Sequence, residues 1–439
     1  MQNSKTISEA INNDYKSFAL YTISNRALPC YIDGLKPVHR KLLYSMIKNF
    51  KGNNVKVAEL AASIVSCGYH HGTQAAEGSV VGMTANWNNN LPIFKEDGAF
   101  GSRIITEAAA SRYIFCSLHE NFEKYFSDFD VLDYIDDEDT PEPKTYLPNI
   151  PWVLVNGING IAVGFKVSIL PHSPKDISEL CLKYLKGKNI DKENLLPTFP
   201  KFTGKVEKIE DSKYKTIGEI SRTGRNQWTI TELPIGYDRS KYFDILKKLL
   251  DKGQIQDFED NCSETFNFII KVDTKQDKEI SKDPISYFKL DQIHSEIYST
   301  LNENNSLVIF NNKIEIIKTF IDYRIKKVQE QIEYDKNKLQ ILISYNNFKI
   351  RFINDVLSGV IDIKKLSRKE LIEIIKNEYD NISDDEVNKL ISIPIYSMTK
   401  DSINDIEKTL NSYTKDLKFL EKKTSINVLE ERLKKIVGV

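Results

Sequence analysis

The spacing of hydrophobic and polar positions along this chain changes character twice. From Ile7 to Arg26 the residues Ile11, Tyr15, Phe18, Ala19 and Thr22 recur at helical spacing, with Ser8 available near the start. Pro37 sits where a second helix can begin, because its missing N–H would be unpaired there anyway. Val38 to Phe50 continues it, with Leu42, Leu43, Met46 and Ile47 on one side. Short amphipathic helices and Gly-containing turns alternate in this way to about residue 150. From about Leu147 to Asn312 strand-like runs take over: WVLVNG, IAVGF, KFTGKVEKIE, NQWTITELP and FNFIIKV. Gly and Pro punctuate them, and a helix is predicted near Tyr242 to Asp251.

The last third is different again. Ile314 to Ser358 contains no Gly or Pro, and its apolar positions include Ile317, Ile321, Val328, Ile332, Leu339 and Leu342. A helix of that length spans about 60 Å at ~1.5 Å per residue. A second uninterrupted stretch runs from Thr399 to Val437. Between them Leu366, Leu371, Ile374, Val387, Leu390 and Ile393 form a compact segment closed by Pro394. Two long helices joined by a small knot predict an antiparallel coiled-coil arm ending in a dimer contact. The heptads are imperfect, so an ordinary helical subdomain is the alternative on periodicity alone.

Composition narrows the class. With 439 residues, 41% of them hydrophobic, the chain can bury several cores. The formal net charge is −1, so any grip on nucleic acid must come from a local basic surface. From Met1 through Arg112 there are 12 Lys and Arg against 8 Asp and Glu, whereas Asp128 to Glu142 is strongly acidic. The five cysteines, Cys30, Cys67, Cys116, Cys181 and Cys262, are scattered without CxxC or zinc spacing and read as reduced thiols. No signal peptide is apparent and no apolar run approaches ~18 residues, which predicts a cytoplasmic protein without a membrane partner.

Two segments concentrate candidate chemistry. RALPCYIDGLKPVHR gathers Arg26, Asp33, Lys36, His39 and Arg40 around a Gly-Leu-Lys-Pro turn, and AAASRYIFCSL presents Tyr113 directly behind Arg112. A tyrosine that attacks a phosphodiester needs cations around the phosphate, because charge on its oxygens must be stabilised as bonds change. Most of the 21 tyrosines are core or interface residues, and one Arg-Tyr pair is weak evidence. Ordered motifs carry more weight. After the first segment come GYHHG at Gly68 to Gly72, AFGS at Ala99 to Ser102, AAASRY ending at Tyr113, and YLPNIPWVLVNG at Tyr146 to Gly157. NGIAVGF from Asn159, RTGR from Arg222 and ITELP from Ile230 follow.

In this order the motifs resemble the breakage-reunion, gyrase A-like subunit of type II DNA topoisomerases. The resemblance spans nearly the whole chain and is nearest to phage members, where the ATPase partner is a separate polypeptide. It implies an α+β multidomain fold. Residues 1–146 would be a winged-helix breakage-reunion domain with Tyr113 on its wing, and 147–312 an α/β tower. Residues 313–439 would form the coiled-coil arm, with a helical dimerisation gate at about 359–398. The chain stops after the second long helix, so the carboxy-terminal DNA-wrapping domain of gyrase is expected to be missing.

The resemblance assigns roles residue by residue. Tyr113 is the nucleophile that takes a 5′ phosphate, and Arg112 stabilises the transition state. Arg26 and Lys36 support the active-site phosphate, and Arg40 contacts DNA, while Asp33 orients one of these cations. His71 matches a histidine near the scissile phosphate, with His70 beside it as a DNA contact; the bland alternative for each is a structural histidine. Ile161 occupies the place of an isoleucine that wedges between base pairs, where its pattern alone would make it a core strand residue. Thr73 and Gln74 depart from the residues that contact cleavage-stabilising drugs in relatives, which puts quinolone-type sensitivity in doubt.

No Walker or GxGxxG loop is present, nor the Glu-Gly-Asp plus Asp-x-Asp pairing of a metal motif, and Asp136, Asp137, Glu138 and Asp139 read as a solvated acidic loop. Mg²⁺ and ATP are therefore expected on a partner chain with ATPase and TOPRIM parts, acting with a homodimer of this chain on double-stranded DNA. The rival readings are a non-catalytic architectural DNA-binding protein of the same fold and another tyrosine enzyme, a recombinase or nickase. The Arg112-Tyr113 pair speaks against the first and the long helices against the second.

Overall fold

The computed structural model describes residues 6, 7, 10–135, 142–363 and 365–438. The expected helix cap at Ser8 and the acidic run Asp136 to Asp139 lie outside them. The chain forms two compact units, residues 1–324 with 429–439 and residues 325–428.

The first unit opens with helical backbone from Ala10 to Ala27, where π-helical turns flank an α-helical Lys16–Thr22. Its apolar side chains at Ile11, Tyr15 and Phe18 are exposed, so the pattern predicted the helix but not a buried face. Three helices follow: α1 (Pro37–Lys48), α2 (Val57–Ser63) and α3 (Thr73–Thr84). Leu42, Leu43 and Met46 of α1 are fully buried, with Leu60 of α2 and Val80 of α3. A small antiparallel sheet completes this part, ordered β1 (Val55–Lys56), β3 (Phe115–Leu118), β2 (Phe94–Asp97).

WVLV was read as a strand and is a helical turn, Trp152–Val155, buried throughout. A short apolar run fits either element, and Pro151 before it with Gly157 at φ +65 after it leave room for one turn. IAVGF is likewise divided. β4 (Ile158–Ile161) and β5 (Lys166–Ile169) pair in register from Ile158–Ile169 to Ile161–Lys166, and Ala162 to Phe165 is the turn between them. Helix α4 (Pro174–Leu185) follows, capped by the Ser173 hydroxyl.

Two larger antiparallel sheets come next. One is ordered β12 (Asp291–Ser295), β7 (Lys213–Ile217), β6 (Lys205–Glu210); the other β10 (Asp257–Asp260), β11 (Phe268–Lys271), β9 (Gln227–Glu232), β8 (Glu219–Gly224). Helix α5 (Arg239–Asp251) covers the second sheet, packing Tyr242, Leu246 and Leu249 against Ile230, Phe268 and Ile270. Arg222 of RTGR, on β8, pairs with Asp277, which also accepts from the Trp228 indole at 2.9 Å. A hairpin of β13 (Tyr298–Leu301) and β14 (Leu307–Phe310) ends the series.

Helix α6 (Lys313–Leu357) begins in the first unit and continues into the second. In the second unit α7 (Arg368–Glu378) and α8 (Asp384–Ile391) each start with a Ser–Glu capping box. They share a core with the end of α6: Phe352, Ile353, Leu371, Ile375, Val387 and Leu390 are buried together. Ile403 and Ile406 of α9 (Lys400–Glu421) pack on the same core. The stretch to Val437, expected to be uninterrupted, breaks after Glu421 and resumes as α10 (Ser425–Val437). The Thr424 hydroxyl accepts the Asn427 amide at 3.2 Å, a cap that competes with continuing the helix. In the first unit, Arg324 near the base of α6 and Arg432 of α10 both donate to Asp128, at 2.6 and 2.7 Å.

Among the described residues no helix is long and apolar enough to cross a membrane.

Candidate active site

The sequence DGLKPVHR folds into a turn that a buried carboxylate holds from within. Asp33 is 0% exposed. Its oxygens accept the Leu35 amide at 3.0 Å, the Tyr146 amide at 3.0 Å, and Arg40 Nε and a terminal Arg40 N–H at 2.7 and 3.0 Å. The Arg40 guanidinium also donates to the Leu35 carbonyl at 3.0 Å. Arg40, only 6% exposed, is thus committed to the protein, although the sequence placed it on DNA. Gly34 adopts φ +64, and a Cβ there would come within 2.6 Å of the Val153 amide nitrogen, so the turn requires glycine.

Lys36 emerges from this turn as the N-cap of α1. The His39 ring accepts the Lys36 amide at 3.4 Å, and burial, reinforced by the charges of Lys36 and Arg40, pushes the imidazole pKa down to about 3. His39 is therefore neutral, an acceptor that fixes the start of the helix; the sequence quoted it without a role. Burial also lowers the Lys36 ammonium from its ordinary value. Its Nζ donates to the Asn159 carbonyl at 2.8 Å, reaching the β4–β5 hairpin.

GYHHG closes the opposite wall. Gly68, at φ +72, ends the helical turn Ile64–Cys67, and Gly72 caps α3. The Tyr69 and His71 rings meet edge-on at 5.3 Å. Burial raises the Tyr69 phenol while the Arg26 guanidinium pulls it down, so Arg26 lies beside this turn. Arg26, Lys36, Arg40, His70 and His71 all line one cavity of about 780 Å³, together with Ala75 and Ser79 on one face of α3.

Tyr113 and Arg112 are not among that cavity's walls. They sit in the tight turn immediately before β3, where the Tyr113 amide donates to the Ala110 carbonyl at 2.9 Å. The amides of Val57 and Ala58, at the start of α2, bond the carbonyls of Ile114 and Ser111 at 3.1 and 3.2 Å. The turn is thereby fixed from both sides. Tyr113 is 68% exposed, and the Arg112 guanidinium carbon lies 4.7 Å from its ring centroid. Upstream, Arg103 ties the same loop to β9 through Glu232 at 2.8 Å and the Leu233 carbonyl at 2.9 Å.

Ile161 ends β4 beside the hairpin turn and is 81% exposed. Its bland reading as a core strand residue does not hold. The hairpin reaches back to the first segment: a Cβ on Gly160 would approach the Ala27 carbonyl oxygen to 2.3 Å. Only glycine lets β4 pass this close to the residue that follows Arg26.

A second cavity, of about 1000 Å³, runs from Lys36 and α3 past Lys166 and Asn159 to Lys241 and His294. The chain from residue 26 to residue 436 matches the family model that describes the A-subunit of DNA gyrase/topoisomerase IV.

The chain belongs to this DNA gyrase/topoisomerase IV family. It is 35% identical to the DNA topoisomerase medium subunit of Enterobacteria phage T4, over 91% of this chain and 91% of that one. It is 31% identical to the mitochondrial DNA topoisomerase 2 of Dictyostelium discoideum, over 88% of this chain but 31% of the longer protein. The solved DNA-binding, cleavage and re-ligation domain of Plasmodium falciparum topoisomerase II superposes with a TM-score of 0.88 at 27% identity, covering 97% of this chain and 63% of that one. The chain thus spans about a third of the Dictyostelium protein and nearly all of the phage one.

Type II topoisomerases use Mg²⁺, and among the described residues no three His, Cys, Asp or Glu stand together in a way that fits that ion. Of the buried carboxylates beside the cations, Asp33 is bonded to Arg40 and Glu142 to Lys41, each at 2.7 Å. No step below is routed through a metal.

Proposed function

We propose that this chain is the DNA-cleaving and religating subunit of an ATP-dependent type II topoisomerase, with Tyr113 as nucleophile. The observation that carries the reading is the Tyr113 turn: an exposed phenol with a guanidinium against its ring, held just before the central strand of a small sheet. The phenol oxygen attacks the phosphorus, the bond from phosphorus to the 3′ oxygen breaks, and the DNA 5′ end becomes a phosphotyrosyl diester. The phenol loses its proton and the departing 3′ oxygen gains one, the role of donor or relay falling to His71. Arg112, Arg26 and Lys36 stabilise charge on the phosphate oxygens, the planar arginine forks matching two oxygens at once. Because the aryl ester keeps the energy of the broken bond, the 3′ hydroxyl reverses the reaction without a further energy source.

In this reading residues 1–146 are the winged-helix module, with the loop before β3 as its wing, and residues 147–312 form the tower. Residues 313–439 form the coiled-coil arm, whose knot at about 359–398 is the dimer gate. Arg40 braces the turn that presents Lys36, and His70 contacts DNA. Ile161 wedges between base pairs to localise a bend that would otherwise cost several kcal/mol, on the order of 1–6. Two copies of the chain cleave the two strands, and a cytoplasmic partner with ATPase and TOPRIM parts supplies Mg²⁺ and ATP turnover. Tyr113 and the cation cavity do not share walls in one chain, so assembly on the duplex must bring them to one phosphate.

The test is covalent capture. The chain reconstituted with the partner should yield a DNA adduct that maps to Tyr113 and disappears in Tyr113→Phe. An adduct on another side chain, or none in the wild type, would refute the assignment. Robust relaxation by the purified chain alone would refute the dependence on a partner.

A further inference from the structure

The cavity that gathers Arg26, Lys36, His70 and His71 also contains two carboxylates, the half-buried Glu303 and the buried Glu142, and a phosphate-binding surface alone would not call for a buried one. Glu142 lines that cavity and is buried, 4% exposed. One oxygen accepts from Lys41 Nζ at 2.7 Å; the other, Oε2, is buried with no hydrogen-bond partner among the described residues. Lys41, on α1, is buried as well, and its ammonium donates a second bond to the Cys67 carbonyl at 2.5 Å. Cys67 is the last residue of the helical turn that Gly68 terminates, and Tyr69, His70 and His71 follow at once. A carbonyl at a helix end has no partner within its own helix, and a lysine is a favourable donor to it. A continuous path therefore runs from Glu142 through Lys41 to the backbone from which both histidines project.

Charge explains why the path needs both ends. Lys41 without Glu142 would leave a buried ammonium next to the place where a phosphate must settle on Lys36 and Arg26. It would be free to swing from the Cys67 carbonyl toward that anion. Glu142 without Lys41 would set an unpaired carboxylate against the phosphate. Joined, they present almost no net charge to the cavity and leave the lysine one direction in which to donate. Asp33 holds the neighbouring turn by a similar device, and its carboxylate also accepts the amide of Tyr146, four residues beyond Glu142.

We propose that Glu142 is a positioning residue for DNA cleavage, acting through Lys41 to hold the turn that carries His70 and His71. The proposal rests on the reading of this chain as a cleaving subunit. It is tested in the complex with the ATPase-bearing partner by the rate of covalent adduct formation and the DNA concentration at half-saturation. The variants are Glu142→Gln, Lys41→Met and the double variant, beside wild type and Tyr113→Phe. Both single variants should slow adduct formation at saturating DNA by about ten-fold or more, the scale expected when a reacting group is misplaced. Half-saturation should stay within about two-fold, and the double variant should be no slower than the worse single one. Hydrogen exchange at the amides of residues 64–72 should rise in both singles, and should one fail to fold, the other carries the test. Unchanged rates, a shift in half-saturation alone, or losses that simply multiply would overturn the proposal. An absent wild-type adduct, or one that survives Tyr113→Phe, would instead overturn the underlying reading.

Discussion

The cation cavity and the Tyr113 turn solve opposite problems. In the cavity, polar groups are held by other groups of the protein: Arg40 by Asp33, Lys41 by Glu142, and the Lys36 amide by neutral His39. At the turn, the phenol is open to solvent, and the Arg112 guanidinium lies against its ring. A surface that must stabilise charge on an incoming phosphate gains from preorganisation, because nothing has to reorient as the bonds change. A nucleophile that must reach a backbone, then carry it and release it, gains from being unencumbered. On the proposed reading, rigidity sits where charge is received, and access where the covalent bond forms.

The comparison breaks most sharply at the phenol. Tyr113→Phe should lower adduct formation by at least ~1000-fold, about 4 kcal/mol or more in the transition state. DNA affinity and melting temperature should hardly change, since an exposed hydroxyl is all that is lost; gel capture, filter binding and calorimetry check the three. Next in size is Asp33→Ala, which leaves Arg40 buried without its partner and should destabilise the first unit by about 3–5 kcal/mol. Urea unfolding measures this, and preserved stability would show that the cavity is not held by its charges.

A smaller effect follows from His39. Its folded-state pKa is depressed to about 3, far below the ordinary 6.5 of an unfolded histidine. The unfolded chain therefore takes up a proton that the folded chain refuses. The stability His39 contributes is complete above about pH 6.5 and declines as pH falls from there toward about pH 3. The slope has a ceiling of about 1.4 kcal/mol per pH unit, and partial exposure of the ring keeps it lower. His39→Asn should flatten the stability profile in that window and leave it unchanged above pH 7. The smallest effect on folding belongs to Ile161→Ala: stability should change by no more than ~0.5 kcal/mol, while DNA bending measured by energy transfer should fall.

These contrasts also explain what could be read from the chain in advance. Pro37 and the apolar face of α1 made that helix legible, and the lack of Gly and Pro made α6 legible, because both signals are local. Motif order exposed Tyr113 and Lys36 as candidates, since their chemistry depends on residue type. The inward turn of Arg40 was not legible. Its partners are the Leu35 carbonyl and Asp33, whose carboxylate is held in turn by the distant Tyr146 amide, and nothing in DGLKPVHR distinguishes an arginine facing DNA from one facing a carboxylate. WVLV misled for the same reason: a short, wholly buried apolar run has no polar face to reveal its period. Glu142 was hidden among acidic neighbours, and only its contact with Lys41 sets it apart. His39 offered one usable signal, its place three residues after Lys36 at the start of a helix.

The ion cluster at Asp128 has a consequence for the history of the molecule. Burial raises the Asp128 carboxyl, yet hydrogen bonds and charges from Arg432 and Arg324 overcome this and keep it below its ordinary value. One anion thus fastens the point where the chain departs, at Arg324, and the point where it comes home, at Arg432. With both ends stapled to one carboxylate, the chain between them is an excursion that leaves and re-enters the first unit at a single anchored point. An excursion anchored in this way can change in length while the first unit keeps its own contacts.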